Sequence, residues 1–241
     1  MPSGPDLPAW LTRVGVFDLE TTGVDVDSDR VVTAYVGVLD ANGRQVAARS
    51  WLADPGIPIP EGATAVHGIS TEHARVHGRP AREVVAEVTA ALRSLFDQGV
   101  PVVAYNASYD FSLLACEAVR NGIQPLADPS PVIDPLVIDK AYDRYRRGRR
   151  TLEVVAEHYC VPLESAHEAS ADAIAAGRVA QALARQFSLP LTPSELHTRQ
   201  IGWARSQAAS LTEYFVRLGR LDPDDSLDGR WPVRSNRSVE D

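Results

Sequence analysis

Asp18 and Glu20 stand two residues apart in VFDLETTG, at the end of an apolar run that reads as a buried strand. Residues i and i+2 of a strand share a face, so both carboxylates point to one spot. Bringing them together costs like-charge repulsion and desolvation, and bound cations remove that cost. Asp110 opens a helix directly after the apolar run VVAY, and Asp172 follows His167 by five residues in HEASAD. Each of these is ordinary alone. An Asp-x-Glu pair recurs by chance, an Asp at a helix start is usually an N-cap, and a lone His is commonly a surface or capping residue. As an ordered set on a first strand, a helix start and a final helix, they are much harder to produce by accident. Hard carboxylate oxygens suit Mg²⁺ or Mn²⁺ rather than Zn²⁺. The only cysteines are Cys116 and Cys160, which make neither a disulfide framework nor a cysteine zinc site.

The elements that must position these groups are legible in outline. Val14–Asp18, Val31–Leu39 and Arg44–Leu52 read as strands, the last two joined at Asn42-Gly43 as a tight hairpin whose two central residues both need positive φ. Pro80 starts a helix that carries Val84, Val88, Leu92 and Leu95 on one face. Val102–Tyr105 is a fourth strand, Tyr109–Arg120 a helix ended by Asn121-Gly122, and Val132–Asp134 a short fifth strand. Helices follow near Leu152–Tyr159 and Ala169–Phe187. The pattern predicts an α/β domain over residues 13–189, a mixed five-stranded sheet flanked by helices, after a tail over 1–12. Beyond it, Thr192–Glu195 is a capping box with Pro193 at the first helical position, opening an amphipathic helix over about 190–220. Residues 221–241 are polar, punctuated by Gly and Pro, and read as a flexible tail.

Three segments resemble a known family. VFDLETTG, YNASYD and the His-x4-Asp of HEASAD are similar to the three exonuclease motifs of the DEDD superfamily, in its histidine-containing (DEDDh, DnaQ-like) branch. That branch includes the proofreading exonuclease subunit of bacterial replicative DNA polymerase. The resemblance spans about Val14–Phe187 and implies a ribonuclease H-like fold and 3′→5′ hydrolysis of nucleic acid with two Mg²⁺ or Mn²⁺ ions. It makes Asp18, Glu20, Asp110 and Asp172 the metal-binding acids and His167 the general base. Thr21 and His67 match positions that contact the terminal nucleotide; Asn106 and Tyr109 match neighbours of the metal acid in the second motif. Substrate-binding roles are thereby implied for all four. In this scheme Asp18 bridges the ions, Glu20 and Asp172 serve the one nearer the nucleophile, and Asp110 serves the other. Two ions about 3.5–4 Å apart suit an in-line displacement. Tyr105 replaces the His often found before the Asn of the second motif, and Leu19 the Thr or Val often found between the first two acids. Neither position is a ligand.

Charge bounds the partners. With 24 basic and 32 acidic residues the chain carries −8, so it does not hold nucleic acid through bulk charge. A phosphodiester substrate, here single-stranded 3′ ends, needs metal ions or a local basic patch. One such patch is Arg144–Arg150, five arginines in seven positions, which is either a phosphate guide or a solvated loop. His67 in AVHGIS is likewise either a substrate contact or a turn cap, and His73 with His77 lacks a third metal ligand. Gln186–Leu191 (QFSLPL) resembles the short motif by which replication proteins bind the sliding clamp; otherwise Phe187 and Leu189 finish the core. The helix after Thr192 either binds a partner, such as a polymerase subunit, or packs back on the domain. No apolar run approaches the ~18–20 residues of a membrane span, and MPSGPDLPAW does not read as a signal peptide, so a cytoplasmic protein is expected. DNA is favoured as substrate; RNA trimming by the same chemistry and a non-catalytic replication adaptor are the alternatives.

Overall fold

The computed structural model describes residues 8–163, 166–187, 189 and 192–234. After a 3₁₀ turn at Ala9–Thr12, three long antiparallel strands run in succession: β1 (Arg13–Thr21), β2 (Val31–Asp40) and β3 (Gln45–Asp54). Two short helices follow, α1 (Glu61–His67) and α2 (Thr71–His77), then β4 (Arg79–Pro80) and α3 (Ala81–Asp97). The chain continues through β5 (Val102–Val103), α4 (Ala107–Arg120), β6 (Val132–Ile133) and α5 (Pro135–Tyr142). It finishes with α6 (Leu152–His158), α7 (Ala169–Gln186) and α8 (Pro193–Arg217). The sheet order is β4-β3-β2-β1-β5-β6, with β5 and β6 parallel to β1.

The sheet therefore has six strands where five were expected. The extra one is the two-residue β4, parallel to the end of β3 and too short to leave a periodic signal. Helices α1, α2 and α5 were also not anticipated. Each spans only seven or eight residues, about two turns, which leaves little room for an amphipathic repeat. The β2–β3 turn differs in type. Gly43 has φ +70° and Asn42 is not among the residues with positive φ. The Gly43 N–H bonds the Asp40 carbonyl at 3.0 Å, and Asp40 pairs with Arg44 around a three-residue loop. One left-handed residue after an ordinary turn closes such a loop, so only glycine carries the unusual φ.

Strand β1 divides the core by alternation. Val14 and Val16 face α7 with its Ala173, Ala176, Val179 and Ala180. Phe17 and Leu19 face α3 and α4, where Phe17 meets Phe111 edge-on at 5.3 Å. A Cβ on Gly177 would lie 2.5 Å from Val16 Cγ1 and 2.6 Å from Leu39 Cδ1. Glycine at that point lets α7 sit close on β1 and β2.

The C-terminal helix packs back. Strand β6 ends the sheet, and its outward backbone groups bond side chains of α8. The Val132 N–H donates to His197 Nδ1 at 3.0 Å, the Asp134 N–H to Gln200 Oε1 at 2.7 Å, and Gln200 Nε2 donates to the Val132 carbonyl at 3.0 Å. A capping box of Thr192 and Glu195 starts the helix. The segment expected to be a flexible tail also docks, as far as residue 234. Trp231 is buried in the core on the α3/α4 side, and the Arg234 N–H bonds Ser112 Oγ at 2.8 Å. Composition signals a tail, whereas one tryptophan supplies enough apolar area to anchor it.

The clamp-like stretch Gln186–Leu191 is only partly within the described residues, since 188, 190 and 191 lie outside them. Of the rest, Leu189 is fully buried, and Phe187 packs against Tyr142 with ring centroids 5.1 Å apart. Both anchors of such a peptide are thus occupied by the core. Among the described residues no helix is long and apolar enough to cross a membrane.

Candidate active site

Because Val14 and Val16 face α7, Asp18 and Glu20 continue the same face beyond the last apolar contact, beneath the first turn of that helix. Asp172 lies in that first turn. Ligand oxygens of Asp18, Glu20 and Asp172 all fall within 4.8 Å of one another. Among the described residues this is the group of three close enough to share an ion. A register shift between Glu20 and Thr21 ends the regular pairing of β1 with β2 at this point. Irregularities of that kind commonly re-aim side chains beside reactive centres.

Asp110, buried in the first turn of α4, flanks the three. The Leu19 N–H donates to its Oδ1 at 3.1 Å. Burial raises Asp18 well above the usual carboxylate range, and the charges of Asp110, Glu20 and Asp172 add to the effect. Glu20 is pushed up to about 7, by burial first and then by Asp172. Asp110 and Asp172 are raised as well, each mainly by burial. The second oxygen of Asp172 is buried and has no hydrogen-bond partner. Four crowded acids with an orphaned oxygen among them fit a divalent cation, whose charge and coordination would satisfy what the protein leaves open.

His167 adjoins the cluster. Its backbone N–H donates to Asp172 Oδ2 at 3.1 Å, and its Nε2 lies 3.7 Å from Glu153 Oε1 at the start of α6. Its φ is +68°, and Asn106 at φ +59° is another of the few described non-glycine residues in that left-handed region. Such conformations concentrate at functional sites.

Thr21 and Tyr109 meet at the end of β1. Their hydroxyls are 2.6 Å apart, and each bonds the Gly23 carbonyl, at 2.6 and 2.5 Å. Burial raises the Tyr109 phenol to about 12, so it stays protonated as a donor. For His67 the two expected readings fall on different nitrogens. Nδ1 accepts the Ile69 N–H at 3.1 Å as a turn cap, while Nε2 is buried near the Thr21 backbone without a partner. Burial holds this imidazole below its usual pKa and so favours the neutral ring.

Asn106 stands apart from the others. It precedes α4, lines a cavity of about 340 Å³ toward α5 and α8, and donates its N–H to Asp134 Oδ1 at 3.0 Å.

Asp134 was not anticipated from sequence. Its carboxylate accepts the N–H groups of Asn106, Ala107 and Leu136, so it caps α4 and α5 together and fixes the helix that carries Tyr109 and Asp110. The Asp-Pro pair at 134–135 is the signal that could have marked it as a cap. Glu153 left no motif. The arginine run is neither a pure guide nor a solvated loop. Arg146 and Arg150 pair with buried Asp139, whereas Arg144, Arg147 and Arg149 are exposed. Tyr105 donates to the Arg150 carbonyl at 2.6 Å, which ties that loop to the end of β5.

The family model RNase_T, described as Exonuclease, matches residues 16–180. A DNA polymerase III subunit epsilon-like protein of Rhodobacter capsulatus is 32% identical over 164 residues, 66% of this chain and 22% of the relative. A PolC-type DNA polymerase III of Lacticaseibacillus paracasei is 30% identical over 171 residues, 71% of this chain but 11% of the relative. The chain thus spans a small part of these curated relatives. Among solved structures, E. coli Exonuclease I in complex with a dT13 oligonucleotide superposes with a TM-score of 0.61 at 21% identity. That match covers 74% of this chain and 42% of the other, and it establishes the fold. The matched stretch, the ribonuclease H-like sheet and the converging acids lead to one conclusion: this chain belongs to the exonuclease family, in its DnaQ-like DEDDh branch.

Proposed function

We propose that this protein removes nucleotides from the 3′ ends of nucleic acid, DNA in preference to RNA, and releases nucleoside 5′-monophosphates. The observation that carries this reading is the convergence of Asp18, Glu20 and Asp172 within 4.8 Å around an unpartnered carboxylate oxygen, with Asp110 alongside. These four acids would hold divalent cations, Mg²⁺ or Mn²⁺, which would supply charge against the scissile phosphate and favour ionisation of the attacking water. His167 takes the proton of the attacking water at Nε2, and the Glu153 carboxylate 3.7 Å away steadies the imidazolium that results. Such base catalysis is typically worth ~10²–10⁴ in rate. Oxygen of that water bonds phosphorus as the P–O3′ bond breaks, and the departing O3′ takes a proton from solvent to become the new 3′-hydroxyl of the shortened strand, while His167 returns its proton to solvent. The hydroxyls of Thr21 and Tyr109 and the buried Nε2 of His67 form the wall that receives the terminal nucleoside. The polymerase names of the relatives support DNA as the substrate.

The test is degradation of 5′-labelled single-stranded DNA and RNA with Mg²⁺, with Mn²⁺ and with EDTA. The expected result is a metal-dependent ladder shortening from the 3′ end, faster on DNA and lost in Asp18→Ala and His167→Ala. A folded, metal-supplied protein that gives no ladder would sink the enzymatic reading.

A further inference from the structure

Two cavities, of about 340 and 550 Å³, lie along α8 and share Lys140, Gln207 and Leu211 in their walls. The first opens at Asn106 and Ser108, one turn of α4 before Asp110. The second is lined by Arg144 and Arg150 on one side and by Trp203 and Tyr214 of α8 on the other. Together they form a groove that runs from the start of α4 along α8, with Asp134 and Asp228 in its inner wall.

Its chemistry is unlike that of the rest of the molecule. In a chain with net charge −8, the outer cavity presents Lys140, Arg144 and Arg150 and no carboxylate. Arg150 is neutralised by Asp139. Lys140, the only lysine of the chain, is partly buried and makes no hydrogen bond or ion pair among the described residues. The charges of Asp134 and Asp139 act on it from the protein side and favour its charged form, while no direct ion pair occupies the ammonium. Tyr214 is 46% exposed, with the Arg217 guanidinium 5.7 Å from its ring centroid. Leu211 is 43% exposed beside it, and Trp203 is only partly covered by the edge of Tyr142. Cations that track a backbone, interleaved with flat aromatic faces, are what single strands bind without regard to sequence.

We propose that this groove holds the single strand on the 5′ side of the scissile end, with phosphates on Lys140 and Arg144 and bases against Trp203 and Tyr214. The inference rests on the exonuclease reading and extends it to the path of the substrate. Continuity with Asn106 and the cationic lining favour nucleic acid over a partner polypeptide as occupant.

The test compares anisotropy of fluorescein-labelled thymidine trinucleotide and dodecanucleotide in EDTA, where no strand is cut. In parallel, hydrolysis of the p-nitrophenyl ester of thymidine 5′-monophosphate with Mg²⁺ reads the reactive centre alone. The wild type is expected to bind the longer strand more tightly by roughly 10-fold or more, and Tyr214→Ala to lose about 10-fold of that. Lys140→Gln with Arg144→Gln should flatten the salt dependence of log K by roughly 1.4. Ester hydrolysis should stay at the wild-type rate in all these variants, which also shows that they fold. Equal affinity for short and long strands in the wild type, or a length preference unchanged in the variants, would overturn the groove while leaving the exonuclease reading intact. That second pattern is also what a groove built for a partner helix would give. Loss of ester hydrolysis in the wild type would instead fail the exonuclease reading.

Discussion

Two polar clusters lie at this sheet and are built on opposite rules. At the end of β1, the carboxylates of Asp18, Glu20 and Asp172 crowd together beside Asp110, and one buried oxygen of Asp172 has no partner. At the free edge of β6, His197, Gln200 and Asp134 are more deeply buried than those three, yet each bonds a backbone group. The second cluster closes an edge that would otherwise expose unpaired N–H and C=O groups. The first leaves like charges facing one another, an arrangement that a fold tolerates when a ligand relieves it. A satisfied polar cluster speaks for architecture, an unsatisfied one for chemistry.

The largest effect expected from breaking this contrast is on turnover. Asp18→Asn, which keeps the shape and removes the central charge, should take nuclease activity below detection. Melting of the metal-free protein should not fall, because the substitution relieves repulsion. A large drop in melting temperature would show that the cluster is structural after all. His167→Ala should lower kcat by ~10²–10⁴ with little change in KM, measured under single-turnover conditions. A comparable loss in KM instead would move His167 from proton transfer to substrate binding.

The β6 cluster should answer in stability instead. Gln200→Leu strands the Asp134 N–H and the Val132 carbonyl, at a cost of about 1–3 kcal/mol for each unsatisfied group. Urea unfolding is the measurement, and specific activity of the folded fraction should be unchanged.

The smallest effect, and the sharpest comparison, is the sign of the pH dependence. Folded carboxylates at the β1 end titrate above their unfolded values, Glu20 at about 7. Their folded state therefore binds the extra protons, and stability is lost as pH rises from the ordinary carboxylate range toward neutrality. His197 is the reverse. Burial holds its pKa down, so its contribution is present above the unfolded histidine value and is lost as pH falls. In thermal melts, Mg²⁺ should raise the melting temperature at about pH 7.5 and do little at about pH 5, where protons compete for the acids. Asp18→Asn should abolish that response, whereas Gln200→Leu should keep it. An equal Mg²⁺ response in wild type and Asp18→Asn would place the ion elsewhere.

Much of this site is legible in the order of residues because its logic is local. Asp18 and Glu20 are two apart on a strand whose Val14 and Val16 already mark the inward face, and His167 lies five residues before Asp172, just ahead of the helix that carries it. Asn106, Tyr109 and Asp110 lie within a single turn at a helix start. The unexpected parts depend on partners distant in sequence. Asp134 caps a helix that begins 27 residues earlier. Gln200 and His197 serve a strand more than 60 residues away, at separations of 66 and 65 for their backbone donors. Trp231 reaches the Asp134 carboxylate across 97 residues, at 3.4 Å. No periodicity in the chain announces such pairings, because a side chain that satisfies a remote backbone group carries no local signature.

By itself, then, the sequence determined which groups can do chemistry and which local elements hold them, since strand alternation and helix starts are set by neighbours a few residues apart. What those groups share depends on contacts between elements far apart in the chain. The close approach of α7 through Gly177 brings Asp172 over β1. Docking of α8 converts an amphipathic helix into the cover of a sheet edge, and Phe187 and Leu189 go to the core. The arginine run divides into a buried pair and an exposed remainder. Each of these outcomes turns on whether a side chain finds a desolvated partner, and that is a property of three-dimensional packing.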